Sequence, residues 1–204
     1  MTDAALCGEF GVVATVEAAL GAGVTVVQLR DDNLTDEEFV NLGRAIMRVV
    51  RLTDAAFIVN NRVHLVEAIG ADGTHVGQSD LGVAEARALL GPHGYLGLSV
   101  QSVEHVTAAL AAGSAGVDYL GVGPVFATTT KLDAATPGGL ERLAEIVSVS
   151  PWPCVAIGGV THDRLGEVHR AGAAGAAVVS AICGQYDVTT ATRALRRAWD
   201  HALE

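Results

Sequence analysis

A polar loop that ends in the only lysine of this 204-residue chain follows one of its apolar segments. The run from Asp118 to Lys131 begins with apolar residues, passes through Gly123-Pro124, and ends in Thr128-Thr-Thr-Lys131. A loop of hydroxyl groups closed by a cation is suited to binding a phosphate group. The competing interpretation is an arginine-biased composition that left one lysine at a random surface position.

Two further residues extend the predicted anion site. Arg30 follows another apolar segment and would supply a second cation beside Lys131. Asp80 could hold a magnesium ion that bridges phosphate oxygens. Together with a glycine-rich segment near the C-terminus, these residues predict two anion positions. Two phosphorylated substrates, or one substrate with two phosphorylated ends, would fill them.

Short β-branched segments alternate with helical patterns along the chain, which predicts a parallel sheet with right-handed crossovers. The predicted strands are Val24–Arg30, Ala56–Asn60, Gly73–Gly77, Tyr95–Ser99, Val117–Val122, Cys154–Gly158 and Ala176–Ser180. Thr35-Asp-Glu-Glu38 has the spacing of a capping box and predicts a helix that runs toward Arg51.

A repeat of roughly 20–25 residues per strand-helix unit favours a (β/α)8 TIM barrel over a doubly wound fold. We expect one domain over residues 1–204. Only seven strands are found from Val24 onward, and Met1–Cys7 has no convincing strand pattern. The first strand of the barrel is therefore expected to be missing or reduced to a stub.

Polar residues follow every predicted strand, at the end of the barrel where such enzymes have their active sites. They are Gln28, Arg30, Asn60, Asn61, Gly77, Gln78, Asp80, Ser99, Gly123, Thr128, Thr130, Lys131, Gly158, Gly159 and Ser180. Each has a simpler explanation when taken alone: Gln28 and Ser99 could cap strands, Asn60-Asn61 could form a turn, and Asp80 could cap a helix. A polar cluster at every strand end nevertheless favours a site at the barrel mouth. Ile157–Gly159 and Val179–Ala181 occupy the usual phosphate position of such barrels, where backbone N–H groups bind the anion.

Composition narrows the class of protein. A net charge of −10 argues against general binding to nucleic acids or to an anionic membrane surface. No apolar run reaches membrane-spanning length and no signal-peptide pattern is present, so we expect a cytoplasmic protein. Cys7, Cys154 and Cys183 lack metal-ligand spacing and are expected to be free thiols. An exposed barrel edge would invite association, so a homo-oligomer is possible.

Seven segments of the chain closely resemble motifs of the thiamine-phosphate synthase family, in order and over nearly its whole length. They are Val27–Arg30, Val59–Arg62, Ala71–Asp80, Gly97–Ser99, Asp118–Lys131, Ala156–Gly159 and Val178–Ile182. The resemblance implies a (β/α) barrel that joins a pyrimidine diphosphate to a thiazole phosphate, with Mg²⁺ as cofactor. Thiamine phosphate and pyrophosphate would be the products.

The resemblance also implies roles for individual residues. Gln28 would hold the pyrimidine, and Ser99 would lie near the leaving oxygen. The diphosphate would be bound by Arg30, Asn60 and Lys131. Asp80 would bind magnesium together with Asn61. The thiazole phosphate would be bound by Thr128, Thr130, Gly159, Val179 and Ser180.

Two positions depart from the family pattern, and both lie at the predicted diphosphate site. Asp32 stands where the family usually has lysine, and Asn61 stands where it usually has aspartate. The first change moves the local charge by two units, which could cost several kcal/mol at roughly 4–6 Å from a diphosphate. We therefore expect weakened turnover, unless Asp32 replaces the lost magnesium ligand.

Two alternatives stay open at this point. The chain could be an impaired family member that binds thiazole phosphate, or an isomerase similar to thiazole tautomerases. It could also be a phosphate-binding barrel of sugar or tryptophan metabolism, although that class does not explain Gln28, Gln78 or the Thr-Lys loop.

Overall fold

Seven parallel strands, each hydrogen-bonded to the next, form a curled sheet in the computed structural model. The structure describes residues 1–111, 116–130 and 135–202. The strands are β1 Val26–Leu29, β2 Ala56–Asn60, β3 Gly73–Val76, β4 Tyr95–Val100, β5 Tyr119–Val122, β6 Cys154–Ile157 and β7 Gly175–Ala177. Every pair of neighbours is parallel, so all the carboxyl ends lie at one end of the molecule.

Helices follow the strands and cover the outer face of the sheet. They are α1 Ala4–Cys7, α2 Val12–Leu20, α3 Asp36–Val50, α4 Val66–Ile69, α5 Val83–Leu90, α6 Val103–Ala111, α7 Gly139–Val149, α8 Leu165–Arg170 and α9 Val188–Ala202. Single 3₁₀ turns span Gly8–Phe10, Val63–Leu65 and His162–Arg164. None of the helices in the described ranges is long and apolar enough to cross a membrane.

The sequence accounts for these elements locally. The predicted capping box opens α3: the Thr35 hydroxyl accepts a hydrogen bond from the Glu38 N–H, and the Glu38 carboxylate accepts one from the Thr35 N–H. The strands carry apolar side chains on both faces because helices cover one face and the barrel interior the other. Phe57, Leu96 and Leu120 are fully buried in this core.

The seam of the barrel, between β1 and β7, is bridged by the first two residues of the chain. The Thr2 N–H donates to the Gln28 carbonyl oxygen at 2.8 Å, and the Arg30 N–H donates to the Thr2 hydroxyl at 3.0 Å. The Met1 amino group donates to the Val178 carbonyl oxygen at 3.0 Å, just beyond β7. The expectation of a (β/α) barrel whose first strand is missing or reduced to a stub is thus confirmed.

Candidate active site

The residues predicted to form the site lie at the carboxyl ends of different strands, around one barrel mouth. Gln28 and Ser99 lie within β1 and β4, and Asn60 is the last residue of β2, paired in register with His75 of β3. The other predicted site residues that the structure describes lie in the loops that follow strands: Arg30, Asn61, Asp80, Thr128, Thr130, Gly159, Val179 and Ser180. Lys131 lies outside the described residues, so its predicted role stays a prediction.

A chain of hydrogen bonds crosses the barrel interior below the mouth and links four strands. The Tyr119 hydroxyl lies 3.0 Å from Nδ1 of His75, and Nε2 of His75 lies 2.8 Å from Oγ of Ser99. At the other end, the Gln28 side chain lies next to the Tyr119 hydroxyl, whose pKa is raised by burial and lowered by Gln28. Two residues predicted from the sequence, Gln28 and Ser99, are therefore connected through two residues of the interior.

Glycines make the space for this chain. A Cβ atom at Gly97 would collide with both the Tyr119 and the His75 rings, and one at Gly121 would lie 2.8 Å from Cε1 of His75. The rings lie with their centroids 5.4 Å apart and tilted by 39°. The inward-facing glycines of β4 and β5 thus accept two large polar rings where a barrel normally packs aliphatic side chains.

Burial sets the protonation states of the two rings. His75 is 8% exposed, and desolvation lowers the pKa of its imidazole to about 4. Burial raises the pKa of the Tyr119 hydroxyl above its ordinary value. Both groups are therefore neutral near pH 7, and they act as hydrogen-bond donors and acceptors without carrying charge.

Arg30 connects the loop after β1 to the threonine loop after β5. Its guanidinium donates to the Thr130 carbonyl oxygen at 3.1 Å and lies 3.9 Å from the Asp3 carboxylate. The hydroxyls of Thr128 and Thr130 are hydrogen-bonded to each other at 2.9 Å. A half-buried cation and two hydroxyls therefore lie beside the point where the chain enters the Lys131 segment.

Asn61 and Asp80 line a common cleft of about 280 Å³ between the segments that follow β2 and β3. Asn61 has a φ of 62°, in the left-handed region that asparagine tolerates, and its N–H donates to the His75 carbonyl oxygen at 2.8 Å. The Asp80 carboxylate accepts from the Gly77 N–H at 2.7 Å, and Gly82 rather than Asp80 precedes α5. The simpler interpretation of Asp80 as a helix cap is therefore wrong.

This cleft fits a magnesium ion that is bound mostly by substrate and water. Asn61 and Asp80 contribute one amide and one carboxylate side chain to its lining, and Mg²⁺ is commonly held by one or two carboxylates plus substrate phosphates. No cluster of three His, Cys, Asp or Glu side chains suited to a metal occurs within residues 1–111, 116–130 and 135–202. Asp32 is exposed in the loop after β1 and is not among the residues that line the cleft.

The glycine turn after β6 holds the loop after β5 in place. Gly158 and Gly159 have φ values of 96° and 60°, and a Cβ on Gly158 would lie 2.6 Å from Cβ of Pro124. The Phe126 N–H donates to the Gly158 carbonyl oxygen at 3.0 Å. Arg164 donates to the Gly159 carbonyl oxygen at 2.7 Å and lies 4.4 Å above the Phe126 ring.

Backbone N–H groups at the predicted phosphate position lack a hydrogen-bond partner among the residues that the structure describes. Within the described parts of the chain, those of Gly159, Val179 and Ser180 donate to no acceptor. Val179 is buried, whereas Ser180 is exposed. These amides follow β6 and β7. Backbone N–H groups that are not used within the protein are available to bind a phosphate group.

Sequence reasoning missed Tyr119 and Arg164. Neither residue type marks a site by itself, and the arginine at position 164 has the pattern of an ordinary helix residue. His64 lies away from the chain of hydrogen bonds below the mouth and is hydrogen-bonded to Asp36 at 2.9 Å. The signal for Tyr119 is Gly97, which is paired with it on the neighbouring strand β4. This signal can be recognised only after the register of the two strands is known.

The fold and the mouth together define a class: a (β/α) barrel with a polar site at the carboxyl ends of its strands. Comparisons with known proteins specify the class further. Residues 1–182 match the family model described as thiamine monophosphate synthase. The chain belongs to this family.

Three relatives illustrate the match. The thiamine-phosphate synthase of Laribacter hongkongensis is 44% identical over 95% of this chain and 90% of its own length. That of Moorella thermoacetica is 46% identical over 89% of this chain and 85% of its own length. The solved structure of thiamine phosphate pyrophosphorylase from Pyrococcus furiosus is 38% identical and superposes with a TM-score of 0.88, covering 100% of this chain and 95% of that one.

Proposed function

We propose that this chain condenses hydroxymethylpyrimidine diphosphate with thiazole phosphate to give thiamine phosphate and pyrophosphate. The observation that carries the proposal is the similarity to curated thiamine-phosphate synthases, at 44% identity over 95% of the chain. A barrel that acts on a sugar phosphate, 3-hexulose-6-phosphate synthase, is similar in fold but only 22% identical. The alternative of an unrelated phosphate-binding barrel is therefore not favoured.

The reaction exchanges one bond for another and involves no oxidation. The C–O bond between the pyrimidine methylene and the diphosphate breaks, and its electron pair leaves with pyrophosphate. The thiazole nitrogen then gives its lone pair to the resulting pyrimidine cation and forms the new C–N bond. Catalysis of such a step is mostly positioning of the two substrates and stabilisation of the charge that develops on the leaving group.

The pyrimidine half of the site comprises Gln28 and Ser99, the two ends of the buried hydrogen-bonded chain. Gln28 would orient the pyrimidine ring. Ser99 would donate to the oxygen on which negative charge develops. The diphosphate would be bound by Arg30, Asn60 and Lys131, and the hydrogen bond from Arg30 to the Thr130 carbonyl supports a common location for Arg30 and the Lys131 segment.

The thiazole phosphate would bind where backbone amides lack a partner. Gly159, Val179 and Ser180 would donate N–H groups, and the hydroxyls of Thr128 and Thr130 would donate from the facing loop. Backbone N–H groups and hydroxyls bind an anion without carrying a charge of their own, which suits a protein with a net charge of −10.

Asp80 and Asn61 would hold a magnesium ion that neutralises part of the diphosphate charge. Asn61 gives this ion a neutral ligand where the family usually has a carboxylate, and Asp32 adds negative charge near the diphosphate. We therefore propose that the chain turns over more slowly than relatives with lysine and aspartate at these positions. A cytoplasmic location and a homo-oligomeric state complete the proposal.

One assay separates the synthase from a protein that only binds thiazole phosphate. The purified chain is incubated with both substrates and Mg²⁺, and thiamine phosphate is measured by conversion to a fluorescent thiochrome. In parallel, binding of thiazole phosphate is measured by calorimetry. Product formation that requires both substrates supports the proposal. Tight binding of thiazole phosphate with no product would favour the impaired or isomerase alternative.

A further inference from the structure

The two ring nitrogens of His75 contact Tyr119 and Ser99, so the tautomer of the neutral ring decides the direction of both hydrogen bonds. Burial raises the pKa of the Tyr119 hydroxyl, and the neighbouring Gln28 side chain acts in the opposite direction, as a donor to the phenol oxygen does. A buried hydroxyl must also donate its own hydrogen, because an unpaired buried donor is costly. Within the described residues, the acceptor that the Tyr119 hydroxyl reaches is Nδ1 of His75, at 3.0 Å.

The tautomer of His75 follows from this contact. An imidazole nitrogen that accepts a hydrogen bond carries no hydrogen, so the ring hydrogen of neutral His75 lies on Nε2. Nε2 lies 2.8 Å from Oγ of Ser99 and therefore donates to it. The Ser99 oxygen is then the acceptor in this contact, and its hydrogen is directed elsewhere.

We propose that His75, held in the Nε2–H tautomer by Tyr119, is a positioning residue that makes the Ser99 hydroxyl an obligatory donor toward the barrel mouth. The inference rests on the proposed function, in which Ser99 faces the oxygen of the leaving diphosphate. With the opposite tautomer, the Ser99 hydrogen would point to His75 and its lone pairs would face that oxygen. The same serine would then oppose the departure of the diphosphate.

The glycines of the neighbouring strands support a fixed orientation. Side chains at Gly97 and Gly121 would occupy the space of the His75 ring, so the ring is closely enclosed by backbone. The Gln78 side chain donates to the Ser99 carbonyl oxygen at 2.7 Å and fixes the serine backbone from the mouth side. Both partners of the His75–Ser99 hydrogen bond are thus held in place.

Tyr119→Phe tests the proposal, because it removes the hydrogen that selects the tautomer and keeps the aromatic ring. We expect kcat to fall about 10- to 100-fold, somewhat less than the loss of a whole donor to a developing oxyanion. The KM for the pyrimidine diphosphate should change less than threefold. Tyr95→Phe is the matched control: Tyr95 begins β4 at the opposite end of the barrel, is 52% exposed, and should lose no activity.

A double-mutant cycle shows whether Tyr119 acts through Ser99. In a Ser99→Ala background the donor is already absent, so Tyr119→Phe should lower kcat by less than threefold. If Tyr119→Phe costs as much in that background as in the native chain, Tyr119 and His75 act independently of Ser99 and the proposal is wrong. Thermal unfolding of each variant identifies losses that come from folding.

A measurement that requires no activity distinguishes this inference from the proposed function. Long-range ¹H–¹⁵N spectra of the histidine-labelled protein report which ring nitrogen carries the hydrogen, and the His75→Asn variant assigns the signal. We expect the Nε2–H form at pH 7.5. The Nδ1–H form would overturn the proposal even in an active enzyme, whereas an inactive protein with the Nε2–H form would contradict only the synthase activity.

Discussion

Replacing Gly158 with alanine should damage both the stability of the barrel and its affinity for thiazole phosphate. Gly158 has a φ of 96°, which an L-residue adopts only with strain. The added Cβ would lie 2.7 Å from Cα of Pro124 and 3.3 Å from the Val125 nitrogen. These are backbone atoms, so no flexible side chain can move aside.

Two contributions set the size of the effect. The left-handed backbone costs about 1–2 kcal/mol for a residue with a Cβ, and overpacking a filled space costs about 1–3 kcal/mol. The expected loss in the free energy of unfolding is therefore about 2–5 kcal/mol.

The added Cβ would also displace the segment that starts at Pro124. This segment includes Phe126, whose N–H is hydrogen-bonded to the Gly158 carbonyl oxygen at 3.0 Å. The threonine loop beyond it would shift away from the unpaired amides.

Urea unfolding and steady-state kinetics measure the two effects. The KM for thiazole phosphate should rise about tenfold or more, because one hydrogen bond to a charged group contributes about 1.5–3 kcal/mol. Gly166→Ala is the matched control in the following helix. A Cβ at Gly166 meets no atom within 4 Å, and alanine there should stabilise the protein by about 0.5–1 kcal/mol.

The reasoning would be refuted by a Gly158→Ala protein that unfolds at the same urea concentration as the native chain and keeps its KM. Loss of stability with an unchanged KM would contradict the predicted phosphate site while leaving the packing argument intact.

Three other changes give further tests. Asp32→Lys combined with Asn61→Asp should raise kcat, because it restores two units of positive charge near the diphosphate and a second carboxylate in the cleft; an unchanged rate would show that these positions do not limit turnover. Lys131→Ala should abolish turnover, and an active variant would contradict the predicted diphosphate site. The free energy of unfolding should decrease as the pH decreases, because of His75. Its pKa is lowered from 6.5 to about 4 in the native chain, so at intermediate pH the unfolded chain binds a proton there that the native chain does not. This contribution is complete above pH 6.5 and is lost as the pH falls toward 4; it amounts to about 2 kcal/mol between about pH 7 and 5, so urea unfolding of His75→Asn should depend less on pH by that amount.

Much of the fold could be predicted because local patterns decide it. The strand Ala56–Asn60 has the predicted bounds, since it is a short apolar run between clear breakers. The helix predicted to run from the capping box at Thr35 toward Arg51 spans Asp36–Val50, because its start is fixed by that local motif. The strand predicted at Val24–Arg30 is shorter in the structure, at Val26–Leu29. Its limits depend on where pairing with β2 begins and ends, and a single segment carries no information about its partner.

The site could be predicted only in part. Gln28 and Ser99 were identified by their positions at strand ends, which parallel topology brings together. The link between them through Tyr119 and His75 depends on which side chains share the barrel interior, and these residues are far apart in sequence. The left-handed backbone of Asn61 likewise depends on the turn that β3 imposes, because the Asn61 N–H bonds to the His75 carbonyl oxygen.

The central claim is that the mouth of this barrel joins the two phosphorylated substrates. Parallel time courses of thiamine phosphate and pyrophosphate, measured with both substrates and Mg²⁺, test it most directly. We predict that the two products appear in equal amounts and that neither appears when the thiazole phosphate or the pyrimidine diphosphate is left out. Pyrophosphate released without thiamine phosphate, or no product at all from a folded protein, would contradict the account.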